Sequence, residues 1–176
     1  IIFEGWHQAP LPNESWREGR LYIGGVLAQG RRTYVHPTGQ KRSEGEFREG
    51  RKEGVWTTWH SNGQKEEAGA FREGRSEGPW LSWHDNGQKR AEGLYQKGNG
   101  EGRWTFWHPN GRKEAEGTQE AGKETGSWQS WHPNGQVWSV GEYEKGRREG
   151  PWRVWDAQGH LLHEGYYSFG ALTPLD

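Results

Sequence analysis

Residues 54–77 read GVWTTWHSNGQKEEAGAFREGRSE and are one copy of a unit that recurs every 24 residues. Its two tryptophans return in register at Trp56 and Trp59, Trp80 and Trp83, Trp104 and Trp107, Trp128 and Trp131, and Trp152 and Trp155. Glycine holds four positions of the unit in six successive copies, which accounts for 24 of the 29 glycines. A fixed period of this kind indicates a structural unit copied along the chain, and glycines this regular indicate repeated turns.

Each unit has the pattern of a β-hairpin. Residues 55–60 and 64–71 are short extended stretches on either side of the turn signal Ser61-Asn62-Gly63. In two copies the turn reads His-Pro-Asn-Gly, with Pro suited to the first central position of a type I turn and Gly to a left-handed residue after it. This order predicts a three-residue loop, with a two-residue Asn-Gly turn as the alternative. The charged, glycine-containing residues 72–78 predict a solvated connection to the next hairpin.

The repeats predict an all-β fold: an elongated single-layer array of stacked antiparallel β-hairpins with a 24-residue period. Because a lone hairpin is marginal in water, neighbouring hairpins must stabilise one another. Residues 30–170 hold six such repeats. Residues 1–29 are irregular and predict an N-terminal cap, with a degenerate repeat as an alternative interpretation, and residues 171–176 are predicted to be a C-terminal tail.

The composition is unusual for a folded chain. Only 29% of residues are apolar and the mean hydropathy is −1.24, values typical of disorder. The thirteen Trp, six Tyr and five Phe residues argue for a folded protein, because each aromatic side chain buries a large area. The net charge of −1 provides no field that attracts polyanions, so we expect no nucleic-acid partner and disfavour membrane lipid.

The compartment is not determined by the sequence. The absence of cysteine excludes disulfides and thiolate nucleophiles, but it does not indicate a redox environment. The chain begins at Ile1 and not at Met, which suggests a processed or trimmed product whose targeting segment is missing. No apolar run reaches membrane-spanning length, so we expect a soluble protein.

The tryptophans define two ladders, because residues three apart in a strand, such as Trp56 and Trp59, point to opposite faces. Under the three-residue loop, Gly69 and Phe71 join the face of Trp59. That face is then predicted to be core, while the face of Trp56 and His60 is left for a partner. Under the two-residue loop, Trp56 lies opposite Gly69 and is structural, so the sequence leaves the register open. The candidate partner-binding residues are Trp56, His60, Trp80, His84, Trp104, His108, Trp128 and His132.

Catalytic and metal-binding chemistry is not indicated. Histidines recur at positions 36, 60, 84, 108 and 132, but consecutive copies lie two strands apart, about 10 Å. Nitrogens that share one zinc must each lie about 2 Å from it. Paired carboxylates such as Glu66 and Glu67 face opposite ways along a strand, and no nucleophile, phosphate-binding or zinc-protease motif is present. We therefore predict no enzyme activity, no cofactor and no metal.

The pattern Gly-x-Trp-x-x-Trp-His-x-Asn-Gly, followed by Glu-Gly-x-Tyr or Phe-x-x-Gly, resembles the MORN repeat. The likeness covers roughly residues 30–170 and is to the variant common in bacterial proteins, often labelled YwqK-type antitoxins. It implies an elongated hairpin array that serves as an interaction platform, sometimes fused to an enzyme and sometimes touching membrane lipid. It also weakly favours the bacterial cytoplasm.

Three functions follow as hypotheses. The first is a non-catalytic scaffold that binds another protein, most concretely an antitoxin or immunity protein that covers a partner's active surface. The second is a glycan-binding module in which a Trp ladder stacks on sugar rings. The third is that this chain is the repeat region of a larger protein, with any enzyme elsewhere.

Overall fold

The structure is a computed structural model that describes residues 13–173, and over that range the protein is all-β and contains no helix. Strands β1 to β3 form a small sheet, and β4 to β16 follow one another in chain order across a single 13-stranded antiparallel sheet. This confirms the predicted fold class. The strands are β1 Glu14–Arg17, β2 Arg20–Ile23, β3 Val26–Leu27, β4 Gly30–Val35, β5 Lys41–Arg48, β6 Arg51–Trp59, β7 Lys65–Arg72, β8 Arg75–Trp83, β9 Lys89–Gln96, β10 Asn99–Trp107, β11 Lys113–Glu120, β12 Lys123–Trp131, β13 Val137–Glu144, β14 Arg147–Trp155, β15 Leu161–Ser168 and β16 Ala171–Thr173.

The turn within each hairpin is the predicted three-residue loop. In the copy between β6 and β7, Gly63 N–H donates to the His60 carbonyl, and His60 N–H donates to the Gln64 carbonyl. Gly63 has φ of 86°, a left-handed conformation that costs glycine little because it has no Cβ. The Pro-Asn-Gly order therefore predicted this turn correctly.

The connection between hairpins is tighter than predicted. β7 ends at Arg72 and β8 begins at Arg75, so only Glu73 and Gly74 form the turn, and residues 76–78 belong to a strand. Both turn residues have positive φ, which defines a type I′ turn and matches the twist of the flanking strands. The solvated linker predicted over residues 72–78 was wrong, because this turn type needs only two residues to continue the sheet.

A β-bulge decides which tryptophan faces the core. Trp59 pairs with Lys65, but Thr58 pairs with Glu67, so Glu66 is an extra residue in β7. Beyond this bulge the register is that of a two-residue loop, and Trp56 lies opposite Gly69. The prediction that Trp59 lies on the better-packed face was therefore wrong, although the loop length was right.

The face that carries Trp56, Trp80, Trp104, Trp128 and Trp152 is named the packed face. Each of these indoles lies on the backbone of a glycine in the preceding strand. A Cβ built on Gly45 would lie 2.2 Å from the Trp56 ring, and one built on Gly69 would lie 1.9 Å from that of Trp80. Only glycine leaves room for this contact, so these glycines serve packing and not turn formation.

Aromatic rings from the other strand of each hairpin fill the space between the indoles. Phe47 and Trp56 meet edge to face with centroids 5.1 Å apart, a favourable aromatic geometry. The chain of ring contacts runs through Trp16, Phe47, Trp56, Phe71, Trp80, Tyr95, Trp104, Phe106, Trp128, Tyr143, Trp152 and Tyr167. A single-layer sheet thus obtains its core from one continuous row of rings.

The ends of the array differ from its middle. The small sheet lies within the predicted N-terminal cap and covers the first repeat: Leu21, fully buried, donates its N–H to the Gly50 carbonyl, and Trp16 contacts Phe47. Residues 1–12 of the predicted cap lie outside the described residues. In the predicted C-terminal tail, residues 171–173 form the edge strand β16, and 174–176 lie outside the described range.

Candidate functional site

The eight predicted partner-binding residues all belong to the packed face or its edge, and the structure restricts what they offer a partner. Trp56 is 3% exposed and Trp104 is 6% exposed, while Trp80 and Trp128 are half-buried. The Trp56, Trp128 and Trp152 indoles donate their Nε1–H to a backbone carbonyl ten residues earlier. These tryptophans act first as core.

The histidines form a second ladder, along the edge where the three-residue loops lie. His60 Nε2 lies 2.9 Å from the Trp83 carbonyl of the next repeat. Because a carbonyl only accepts hydrogen bonds, Nε2 carries the proton. The same bond occurs from His36, His84, His108 and His132. Each predicted histidine therefore ties its repeat to the following one.

Asparagine in the same loops adds a third ladder that the sequence analysis missed. Asn86 Nδ2 donates to the Pro109 carbonyl at 2.7 Å, while its Oδ1 accepts the Gln88 N–H at 3.0 Å. Asn62, Asn110 and Asn134 make the equivalent bond to the next loop. The 24-residue recurrence of these asparagines was the signal that could have predicted it.

The opposite side of the sheet, named the open face, carries the other tryptophans: Trp59, Trp83, Trp107, Trp131 and Trp155. All five are half-buried, and no segment of residues 13–173 packs across them as a second layer. The Nζ of Lys41 lies 5.6 Å from the centroid of the Trp59 ring, and that of Lys89 lies 5.0 Å from Trp107. Lys65 and Lys113 repeat this cation–π contact on Trp83 and Trp131. The open face thus presents a stripe of alternating indole and ammonium groups.

Carboxylates neutralise most of this stripe. Lys89 Nζ lies 2.6 Å from Glu92, and Lys113 Nζ lies 2.8 Å from Glu116. Hydrogen bonds from Arg31, and further ones from Lys41 and Thr33, lower the pKa of the Glu44 carboxyl to about 2. Hydrogen bonds from Lys113 and Arg103 lower the pKa of Glu116 in the same way. The stripe is therefore amphipathic with little net charge.

Nothing in the described range indicates a catalytic or metal centre. Residues 13–173 contain no group of three or more His, Asp or Glu side chains placed to hold a metal ion. Two recesses lie between the Glu-Gly turns, and both are open surfaces lined by charged side chains such as Arg72, Glu73 and Arg75. Over the same range, no helix is present that combines the length and the apolar character needed to cross a membrane.

The hairpins match a known repeat. The family model of the MORN repeat variant matches residues 52–71, 76–97 and 124–145. The matched ranges fall on three hairpins, β6–β7, β8–β9 and β12–β13, which are similar to the MORN repeat variant. No curated protein matches the chain. MORN repeats generally form scaffolds that bind proteins or membranes, and the family is typically non-catalytic.

The hairpin β10–β11 lies outside the matched ranges and carries the same Trp, His and Asn ladder residues, but it departs from the matched hairpins at one ring position. Gln119 stands where Phe47, Phe71 and Tyr95 stand in other copies. Phe106 fills the gap, with its ring 6.0 Å from Trp104 and 6.4 Å from Trp128. The packed face thus remains continuous across a MORN-like hairpin that lacks one of its rings.

Proposed function

We propose that this protein is a non-catalytic scaffold that binds another protein through its open face. The observation that carries the proposal is the stripe of half-buried tryptophans on a sheet face that no described segment covers. Tryptophan is among the side chains enriched at the energetic centres of protein interfaces. The packed face is less suited, because its indoles are engaged in the core.

Partner binding by Trp56, His60 and their counterparts in the other repeats remains a prediction, and we assign these residues a minor share of the contact. Trp80 and Trp128 are half-buried, so a partner that reaches the packed face meets only part of each indole. A partner can contact the histidine rings while their Nε2 atoms keep the backbone bonds. We place the main contact on the tryptophans of the open face.

The specific form we propose is an antitoxin or immunity-type inhibitor that covers the active surface of a toxin or enzyme. The 13-stranded sheet offers a surface on the order of 60 Å long, given about 4.8 Å per strand, without a recess suited to a small substrate. A long, regular face fits occlusion of a partner better than turnover of a small molecule.

The test is affinity capture from the native host with the tagged chain. We expect a partner recovered in stoichiometric amount, and we expect the double variant Trp83→Ala/Trp107→Ala to lose it. Trp138→Ala is the matched control, because Trp138 is 49% exposed but lies beside His132 on the packed face. Recovery of no stoichiometric protein, or equal recovery by both variants, would contradict the proposal.

Glycan binding is the second candidate, favoured by the spacing of the open-face rings. Successive indoles lie two strands apart, about 10 Å, which suits alternate sugars of a linear polysaccharide. Stacking on a sugar should change tryptophan fluorescence. Unchanged emission across a panel of neutral and acidic polysaccharides would remove this candidate.

Membrane binding is disfavoured because Glu44, Glu92 and Glu116 neutralise three of the four lysines of the stripe. We expect no cosedimentation with vesicles that contain anionic lipid.

A further inference from the structure

Three cations on the packed face of the first repeats form no ion pair with another residue in the range 13–173. Arg32 in β4 stands at the position that Trp56 holds one repeat later, and Arg42 is the bulged residue of β5. Lys52 lies near the start of β6 and pairs with Phe47. None of the three has a carboxylate within salt-bridge distance among residues 13–173.

The surroundings of Lys52 favour an incoming anion. Its Nζ lies 4.4 Å from the Trp56 ring centroid and 4.9 Å from that of Phe71. Burial lowers the pKa of Lys52 to about 8; the Glu67 carboxylate opposes this shift, and repulsion from Arg42 adds a smaller lowering effect. That carboxylate is already paired with Arg90 at 3.1 Å. The ammonium is thus held in an apolar setting that a negative charge would relieve.

The two arginines also have unused hydrogen-bonding capacity. The Nε atoms of Arg32 and Arg42 are buried without an acceptor within the described chain, and the buried Thr58 Oγ1 has no hydrogen-bond partner there either. Ser43 is paired with Thr58 on one side and with Tyr34 on the other, so Thr58 and Tyr34 share one face with Arg32, which lies two residues before Tyr34. Arg42 additionally lies over the Tyr34 ring at 6.0 Å.

The other repeats show that the fold does not require these cations. The position of Lys52 is Ser76, Gly100, Glu124 and Arg148 in later copies. The position of Arg42 is Glu66, Arg90, Glu114, Trp138 and Leu162. Framework positions such as the Gly-indole pairs do not vary in this way. The cation cluster is therefore a local feature added to the scaffold.

We propose that the packed face of the first repeats binds an acidic polypeptide segment, whose carboxylates pair with Arg32, Arg42 and Lys52. The three cations come from three successive strands, β4, β5 and β6, and so span about 10 Å with aromatic rings between them. This spread matches carboxylates displayed along an extended chain better than one compact anion. The site lies on the opposite face from the open-face stripe, so either proposal can fail without the other.

The test uses a hexaglutamate peptide as the probe, titrated into the full chain at low ionic strength. We expect binding that weakens as salt is added. The double variant Arg42→Glu/Lys52→Ser should lower the affinity at least about tenfold, since it removes two charge-assisted contacts. Both substitutions copy residues that other repeats carry at these positions, Glu66 and Ser76, so the fold should be retained.

Arg148→Ser is the matched control, because Arg148 occupies the position of Lys52 on Trp152 near the other end of the array. It should leave the affinity unchanged. In the unmodified protein, NMR titration should show the pKa of the Lys52 ammonium rising when the peptide is added, a readout that needs no variant. Inorganic phosphate at matched ionic strength should not displace the peptide.

Each opposite result overturns the proposal. Absence of peptide binding excludes a site at these cations. A loss of affinity in Arg148→Ser as large as that in the double variant excludes it too. A Lys52 pKa unaffected by saturating peptide excludes it as well. Displacement by phosphate identifies a compact-anion site and not one for an acidic polypeptide.

Discussion

A glycine and an indole form the basic packing contact of this protein. The Trp80 ring lies where the Cβ of any other residue at position 69 would be. The same pairing holds for Gly45 with Trp56 and recurs along the array. The fold therefore depends on a glycine lying against a tryptophan wherever one repeat meets the next.

Substituting one of these glycines should be costly. Gly69→Ala puts a methyl group 1.9 Å from the Trp80 ring, so the indole must move. We expect a loss of about 1 to 3 kcal/mol in the free energy of unfolding, measured by urea denaturation. Gly165→Ala is the control, because its Cβ would meet the side-chain ends of Leu172 and His163 and not an indole. Equal losses for the two variants would show that indole contact is not the cause.

The ionisation of Lys52 should make stability depend on pH. Its pKa is about 8 in the folded chain and near 10.5 in the unfolded one, so between these values the unfolded chain binds more protons. The contribution of Lys52 to stability therefore rises as the pH increases from about 8 to about 10.5. Relative to Lys52→Ser, the wild type should gain up to about 3 kcal/mol over this window.

Urea midpoints at the two ends of that pH range provide the measurement. Arg148→Ser is the control, because an arginine stays charged throughout this range and its substitution should show no such trend. If the difference in the free energy of unfolding between wild type and Lys52→Ser does not change with pH, the low pKa of Lys52 is wrong.

At the scale of the hairpin, hydrogen bonds join successive repeats along both edges formed by the turns, at the two ends of the strands. On the edge of the three-residue loops, His and Asn side chains reach the backbone of the next copy. On the other edge, Gly74 N–H donates to the Lys52 carbonyl and Glu73 N–H donates to the Glu53 carboxylate. A turn in this protein is thus also a contact between repeats.

Removing one asparagine of a loop should therefore weaken more than its own hairpin. Asn86→Ala loses the bond to the Pro109 carbonyl and the acceptor for the Gln88 N–H. We expect a loss of about 1 to 2 kcal/mol by urea denaturation, with faster hydrogen exchange at the Gln88 amide. Asp85→Ala in the same loop keeps both bonds and should change little. Identical midpoints for the two variants would argue against the asparagine ladder.

At the scale of the whole molecule, the stability of the array is limited by its least regular hairpin. Each repeat contacts only its neighbours, so a defect in the middle separates two halves while a defect at an end frays that end. The least regular hairpin is β10–β11. Gln119 stands there in place of the usual Phe or Tyr, and the Phe106 ring fills the gap.

Phe106→Ser should interrupt the row of rings near its centre. Ser82 and Ser130 stand at this position in neighbouring repeats, so the residue itself is compatible with the strand. We expect a loss of about 1 to 3 kcal/mol and a broader thermal transition. Adding Gln119→Tyr, which restores the usual ring, should recover most of that loss. A double variant no more stable than Phe106→Ser would refute the claim that Phe106 stabilises the array by replacing the missing ring.

Much of the fold was predictable from local patterns. The 24-residue period, the Pro-Asn-Gly loop and the alternation of extended stretches indicated stacked hairpins, because turn type depends on a few adjacent residues. The I′ turn at Glu73-Gly74 was missed, since charge suggested a loop where backbone conformation permits a tight turn. Lys41, Lys65, Lys89 and Lys113 also recur every 24 residues, but their place over the open-face indoles was not inferred.

The sequence by itself determined that this protein is a repeat of β-hairpins. The period shows the repetition, and the glycines and turn residues of one copy are enough to determine its hairpin. Only the tertiary structure decided which tryptophan is core. The extra residue at Glu66 leaves no mark in the hydrophobic pattern, yet it shifts the register and places Trp56 opposite Gly69. The structural role of the histidines also required the tertiary structure. Each one bonds to a carbonyl in the next repeat, and contacts between repeats depend on how the hairpins stack.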